Sequence, residues 1–95
     1  MTLLQFPPEV ESAVNSLLES LRGRDILPPI LVSSEGYLLL KWEMPDKSFC
    51  IEIDNGGEAF WTIEGGFEDY SEIGIITKAG ERKSIISDLE EFLNC

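Results

Sequence analysis

The chain contains no histidine and only two cysteines among its 95 residues. Without imidazole it lacks the commonest general base, the usual activator of a serine or cysteine nucleophile, and the commonest nitrogen ligand of a metal. Cys50 and Cys95 stand far apart in sequence, which is no disulfide framework. Long apolar runs are missing too. Ile30-Leu31-Val32 and Leu38-Leu39-Leu40 fall far short of the ~20 residues that cross a bilayer. Basic residues are scarce: seven Lys and Arg face eighteen Asp and Glu, a net charge of −11. That balance opposes nonspecific attraction to nucleic acid phosphates or anionic membranes and favours basic partners. The opening residues, Met1 to Pro8, carry neither the basic start nor the apolar stretch of a signal peptide, so the expected location is cytoplasmic, with reduced thiols.

What is present is enough for a core. Hydrophobic residues make up 43% of the chain, more than a disordered acidic chain carries, and the length fits one domain over 1–95. Pro7-Pro8 followed by Glu9 fits a helix start. Val10, Ala13, Val14, Leu17, Leu18 and Leu21 then form one apolar stripe, predicting a helix over 8–22 stopped by Gly23. Ile30 to Val32, after Pro28-Pro29, reads as a short edge strand. In 37–44, Leu38, Leu40, Trp42 and Met44 alternate with Tyr37, Leu39, Lys41 and Glu43, the period of a half-buried strand. Phe49, Ile51 and Ile53 mark a third strand. Asn55-Gly56 predicts a tight type I′ turn into a fourth, where Ala59, Trp61 and Ile63 oppose Phe60, Thr62 and Glu64. The 65–72 stretch reads as a loop, with a fifth strand near Ile73, Ile75 and Ile76. Lys78 to Glu81 is expected to turn before a C-terminal helix, which begins either at Ser84, over about 85–94, or at the capping-box spacing of Ser87-Asp88-Leu89-Glu90. The fold expected is α+β: an antiparallel four- to five-stranded meander with both helices packed on one sheet face. The other face holds Tyr37, Leu39, Cys50 and Phe60 among charges; it is either an interface or covered by the 65–72 loop.

Paired carboxylates remain the one catalytic chemistry available in principle. Glu52, Asp54, Glu58, Glu64, Glu68, Asp69 and Glu72 all lie between Ser48 and Thr77, a stretch without Lys or Arg. Nothing singles out a pair, and no enzyme activity is expected. Asp54-Asn55-Gly56-Gly57-Glu58 lacks the ligand spacing of a calcium loop, and the glycines form no phosphate loop, so neither a metal nor a cofactor is expected. Cys50 reads as a small sheet residue. The acids of 52–72 are expected to merge into one negative surface interleaved with Trp61, Phe67 and Tyr70. Such a surface recognises a basic protein groove through aromatic anchors, imitates a phosphate array, or only keeps the protein soluble.

Leu40-Lys41-Trp42-Glu43, the run Phe49 to Gly57 and the closing Leu89-Glu90-Glu91-Phe92-Leu93 resemble a group of small acidic bacterial proteins. The shared pattern is a helix opening on proline and acid, a tryptophan-bearing strand and an IEID-type strand with a tight turn. The resemblance spans most of the chain, departs over 65–76, and implies a bacterial or phage accessory protein, in some cases encoded beside toxin–antitoxin genes. It carries over no catalytic residue. The function expected is that of an inhibitor, antitoxin or immunity-type protein occupying a basic surface on a nuclease, toxin or nucleic-acid-binding enzyme. Its contact residues would be Glu52, Asp54, Glu58, Trp61, Glu64, Phe67, Glu68, Asp69, Tyr70 and Glu72. The alternative is an acidic module that forms a homodimer through its exposed sheet face. Direct contact with nucleic acid or membrane is not expected.

Overall fold

Alternation in the central strands and one apolar stripe in each helix settle how the layers meet. The computed structural model describes residues 6–34, 36–65 and 69–94. The order is α1 (Pro8–Gly23), β1 (Ile30–Ser34), β2 (Tyr37–Glu43), β3 (Lys47–Asp54), β4 (Glu58–Gly65), β5 (Tyr70–Ile75) and α2 (Ala79–Asn94). The five strands form one open antiparallel sheet in sequence order, and both helices pack on one of its faces. The fold is α+β. Val10, Ala13, Val14, Leu17 and Leu21 of α1 and Ile85, Ile86, Leu89 and Phe92 of α2 share one core with Leu38, Leu40, Trp42, Phe49, Ile51, Ile53, Ala59 and Trp61. Trp42 meets Phe49 edge-on at 5.9 Å, and Phe49 meets Phe92 at 5.6 Å between ring centres. These are favourable aromatic separations.

Four details differ from the sequence reading. Gly23 does not stop helix α1 but is its last residue, and the chain turns away at Asp25, at φ 56°. The amides of Asp25 and Ile26 return to the carbonyls of Arg22 and Leu21, closing the last turn as a Schellman arrangement. At the β3–β4 hairpin, positive φ falls on Gly57 rather than on Asn55 or Gly56, so the connection is a three-residue loop with a left-handed third residue and not a type I′ turn. Strand β5 begins at Tyr70, because Tyr70, Ser71 and Glu72 pair with Ile63, Thr62 and Trp61. Helix α2 begins at Ala79, ahead of both predicted starts. Its first turn is held by the Lys78 carbonyl, which accepts from Glu81 and Arg82, and by Arg82 Nη1 donating to the Ile76 carbonyl at 2.9 Å. The Ser84 hydroxyl, inside the helix, reaches back to the Gly80 carbonyl and caps nothing.

Candidate functional site

Strand register decides which acids share a surface. In each pair the residues opposite one another project to the same side. Val32 pairs with Leu39, Leu39 with Glu52, Glu52 with Phe60, and Phe60 with Ile73. One row thus crosses all five strands on the face opposite the helices. A parallel row holds Tyr37, Asp54, Glu58 and Ile75, and another holds Ile30, Lys41, Cys50, Thr62 and Ser71. Among the described residues nothing covers this face: Ile73 is 60% exposed, Val32 48% and Phe60 38%.

The acidic and the apolar candidates of the sequence therefore occupy one surface. Glu43, Glu52, Asp54, Glu58 and Glu64 project from this face and are exposed. Its one cation among the described residues, Lys41, lies 2.9 Å from Glu43, and the hydrogen bond and ion pair to Glu43 push its pKa up. Five carboxylates and one ammonium leave four net negative charges. Cys50 sits among them half-buried. Burial raises its thiol pKa, with Lys41 opposing, so it stays protonated and a poor nucleophile at neutral pH.

Other candidates fall elsewhere. Trp61 is no surface anchor: it is 1% exposed, directed into the helix layer, and its Nε1–H donates to Asp88 Oδ2 at 2.8 Å. Its ring lies so close over Gly74 that a Cβ there would come within 3.0 Å. Strand alternation in phase with Ala59 and Ile63 already carried that signal. Tyr70 and Glu72 project to the helix side as well, at the β5 edge. The Tyr70 hydroxyl donates to Glu72 Oε2, and that bond pushes the phenol up to about 12. Asp69 accepts from the Gly65 amide. Phe67 and Glu68 lie outside the described residues. Asp54 is partly committed to its own hairpin, since Oδ1 accepts the amides of Gly56 and Glu58, both at 2.9 Å. The expected single negative surface is therefore two: the open face, and a smaller group on the helix side.

That smaller group is Asp88 with Glu72 and Glu91 nearby. Burial raises the Asp88 carboxyl above its ordinary value, the Trp61 N–H works against this, and Glu72 and Glu91 add to it. Asp88 is absent from the sequence expectation; its signal is an acid on the inner edge of an amphipathic stripe. Unequal carboxyls can divide acid and base roles, but these do not line the groove found among the described residues. That groove, about 780 Å³, opens at the far end beside Arg24, Leu27, Ile30, Trp42, Met44 and Leu93. Trp42 Nε1 donates there to the Leu27 carbonyl, and Arg24 pairs with Glu90 at 2.9 Å. Among the described residues there is no cluster of His, Cys, Asp or Glu able to hold a metal ion, and no helix long and apolar enough to cross a membrane. Comparison with protein-family models, curated proteins and solved structures finds no match to this chain.

Proposed function

We propose that this is a non-enzymatic binding protein whose uncovered sheet face occupies a basic surface of a partner protein, as an inhibitor or antitoxin of a nucleic-acid enzyme does. The observation that carries this reading is the register: it unites Glu52, Asp54, Glu58 and Glu64 with Leu39, Phe60 and Ile73 on one open face. Apolar side chains supply the desolvated contact, and the carboxylates steer encounter with a cationic surface and disfavour others. Two copies face to face would set four net negative charges against four, which ranks self-association below a basic partner.

The test is affinity capture with the wild-type chain and with the triple variant Glu52→Gln, Glu58→Gln, Glu64→Gln, followed by identification of captured proteins and stopped-flow association. A basic nucleic-acid enzyme held by the wild type, lost by the triple variant and inhibited on binding is the expected result. Its on-rate should fall steeply with salt, since exposed charges are screened beyond about 10 Å at ~0.1 M ionic strength. Equal capture by both chains together with a salt-independent on-rate would refute the reading.

A further inference from the structure

We infer that the element docking on this face is a cationic amphipathic α-helix laid across the strands, with an Arg or Lys in the middle of its apolar stripe opposite Glu52. The inference rests on the reading of the open face as the binding surface and specifies its ligand. The longest apolar row of the face runs across the strands; along them it reaches no further than the pairs Ile30 and Val32, Tyr37 and Leu39, and Ile73 and Ile75. Following β3, the same-side neighbours of Glu52 are Cys50 and Asp54; following β4, those of Phe60 are Glu58 and Thr62. Across the strands, Val32, Leu39, Phe60 and Ile73 form one row with Glu52 at its centre. An extended segment laid along any one strand would meet at most two apolar side chains, and over β3 and β4 mainly polar ones, whereas an element crossing the strands meets four, two on either side of Glu52.

The spacing of that row matches a helix. Strands lie ~4.8 Å apart, so five span ~19 Å. A helix advances ~5.4 Å per turn, and stripe residues at i, i+4, i+7, i+11 and i+14 would each meet one strand. The middle position falls over Glu52. That carboxylate is exposed and, among the described residues, makes no ion pair, so a cation set against it displaces no existing partner. The flanking row carries Asp54 and Glu58, which places further cations on that side of the helix. Five carboxylates against Lys41, the face's one cation among the described residues, oppose an acidic helix and rank a second copy of this face below a cationic one.

The test uses synthetic peptides of about 18 residues titrated into the isotope-labelled protein and followed by amide NMR. The lead peptide carries Leu-Leu-Arg-Leu-Leu on the stripe and lysines elsewhere. Controls place Glu at the centre, insert a central proline, or scramble the order. The expected result is shifts centred on Val32, Leu39, Glu52, Phe60 and Ile73, with the Arg-centred peptide about tenfold tighter than the Glu-centred one. Glu52→Lys, an exposed change checked by circular dichroism, should reverse that preference. If scrambled and proline peptides bind the open face equally well, the helix inference fails while the acidic-face reading stands. If no cationic peptide shifts the open face even at low salt, both fail. Shifts confined to the backbone of β1 or β5 would replace the helix with an added strand.

Discussion

Glu52 interrupts an otherwise apolar row, and replacing it with leucine should separate what that row does for stability from what it does for solubility. Its direct cross-strand partners are Leu39 and Phe60, each in reach of a side chain at this position, and apolar pairs of this kind contribute roughly 0.2–1 kcal/mol apiece. The substitution also removes one charge from a chain of net −11, relieving self-repulsion. Glu52→Leu should therefore stabilise the monomer by about 1 kcal/mol, a rise of ~4–8 °C in Tm for a domain of this size. The cost appears elsewhere. With the carboxylate gone, Val32, Leu39, Phe60 and Ile73 would be joined through the new leucine into an unbroken apolar band and the face's net negative charge would fall from four to three, so the variant should self-associate more than the wild type. Urea unfolding at low concentration reads the first effect, and sedimentation velocity over a concentration series reads the second. A loss of stability at low concentration would refute the cross-strand argument. A variant that self-associates no more than the wild type at high concentration would refute the claim that this face is uncovered and that Glu52 interrupts its apolar row.

Leu17, fully buried in the middle of the α1 stripe, should cost ~2–5 kcal/mol on replacement by alanine, and a loss below about half a kcal/mol by urea unfolding would show α1 undocked. Asp88 binds its proton more tightly in the folded chain than in the unfolded one, because burial raises its carboxyl. Stability should accordingly rise as pH falls through the folded-state value and level off below the unfolded one; Asp88→Asn should flatten that slope while keeping an acceptor for Trp61, which urea midpoints against pH would show. Gly65, at φ +82°, stands where a Cβ would collide with the Asp46 carbonyl oxygen, so Gly65→Ala should destabilise by more than ~1 kcal/mol, measured by thermal unfolding.

The first helix and the central strands are legible in the sequence because burial imposes a period on them. The α1 stripe and the alternation of 38–42, 49–53 and 59–63 each have one arrangement that buries every apolar side chain, so layers and faces follow. Elements lacking such a pattern give no such cue. The first turn of α2 is held by backbone carbonyls and Arg82, which leave no side-chain signature, and Ser84, which resembles a cap in sequence, sits inside the helix. Tyr70 to Glu72 are all exposed and show no alternation, and only pairing with β4 makes them strand. At the site, closeness in sequence is a poor guide to closeness in space. Register splits the acids, sending Glu72 to the helix side and bringing Glu43, fifteen residues before Glu58 in the chain, onto the same face as it.

A sheet whose spatial order repeats its sequence order has a kinetic consequence. Each strand pairing closes only a short loop, so the chain loses little loop-closure entropy before contacts reward it, and such topologies fold quickly for β-rich domains. The helices lie at opposite ends of the sequence, and the bond from Arg24, just beyond α1, to Glu90 of α2 spans 66 residues. Hairpins around β3 can form first, with α1 and α2 closing over a sheet already in register. Until they do, both faces are bare: the inner one is almost wholly apolar, while the outer one carries carboxylates on every central strand. Those charges then serve a purpose before the native state exists, keeping half-folded sheets from stacking on one another through the face that neither α1 nor α2 covers.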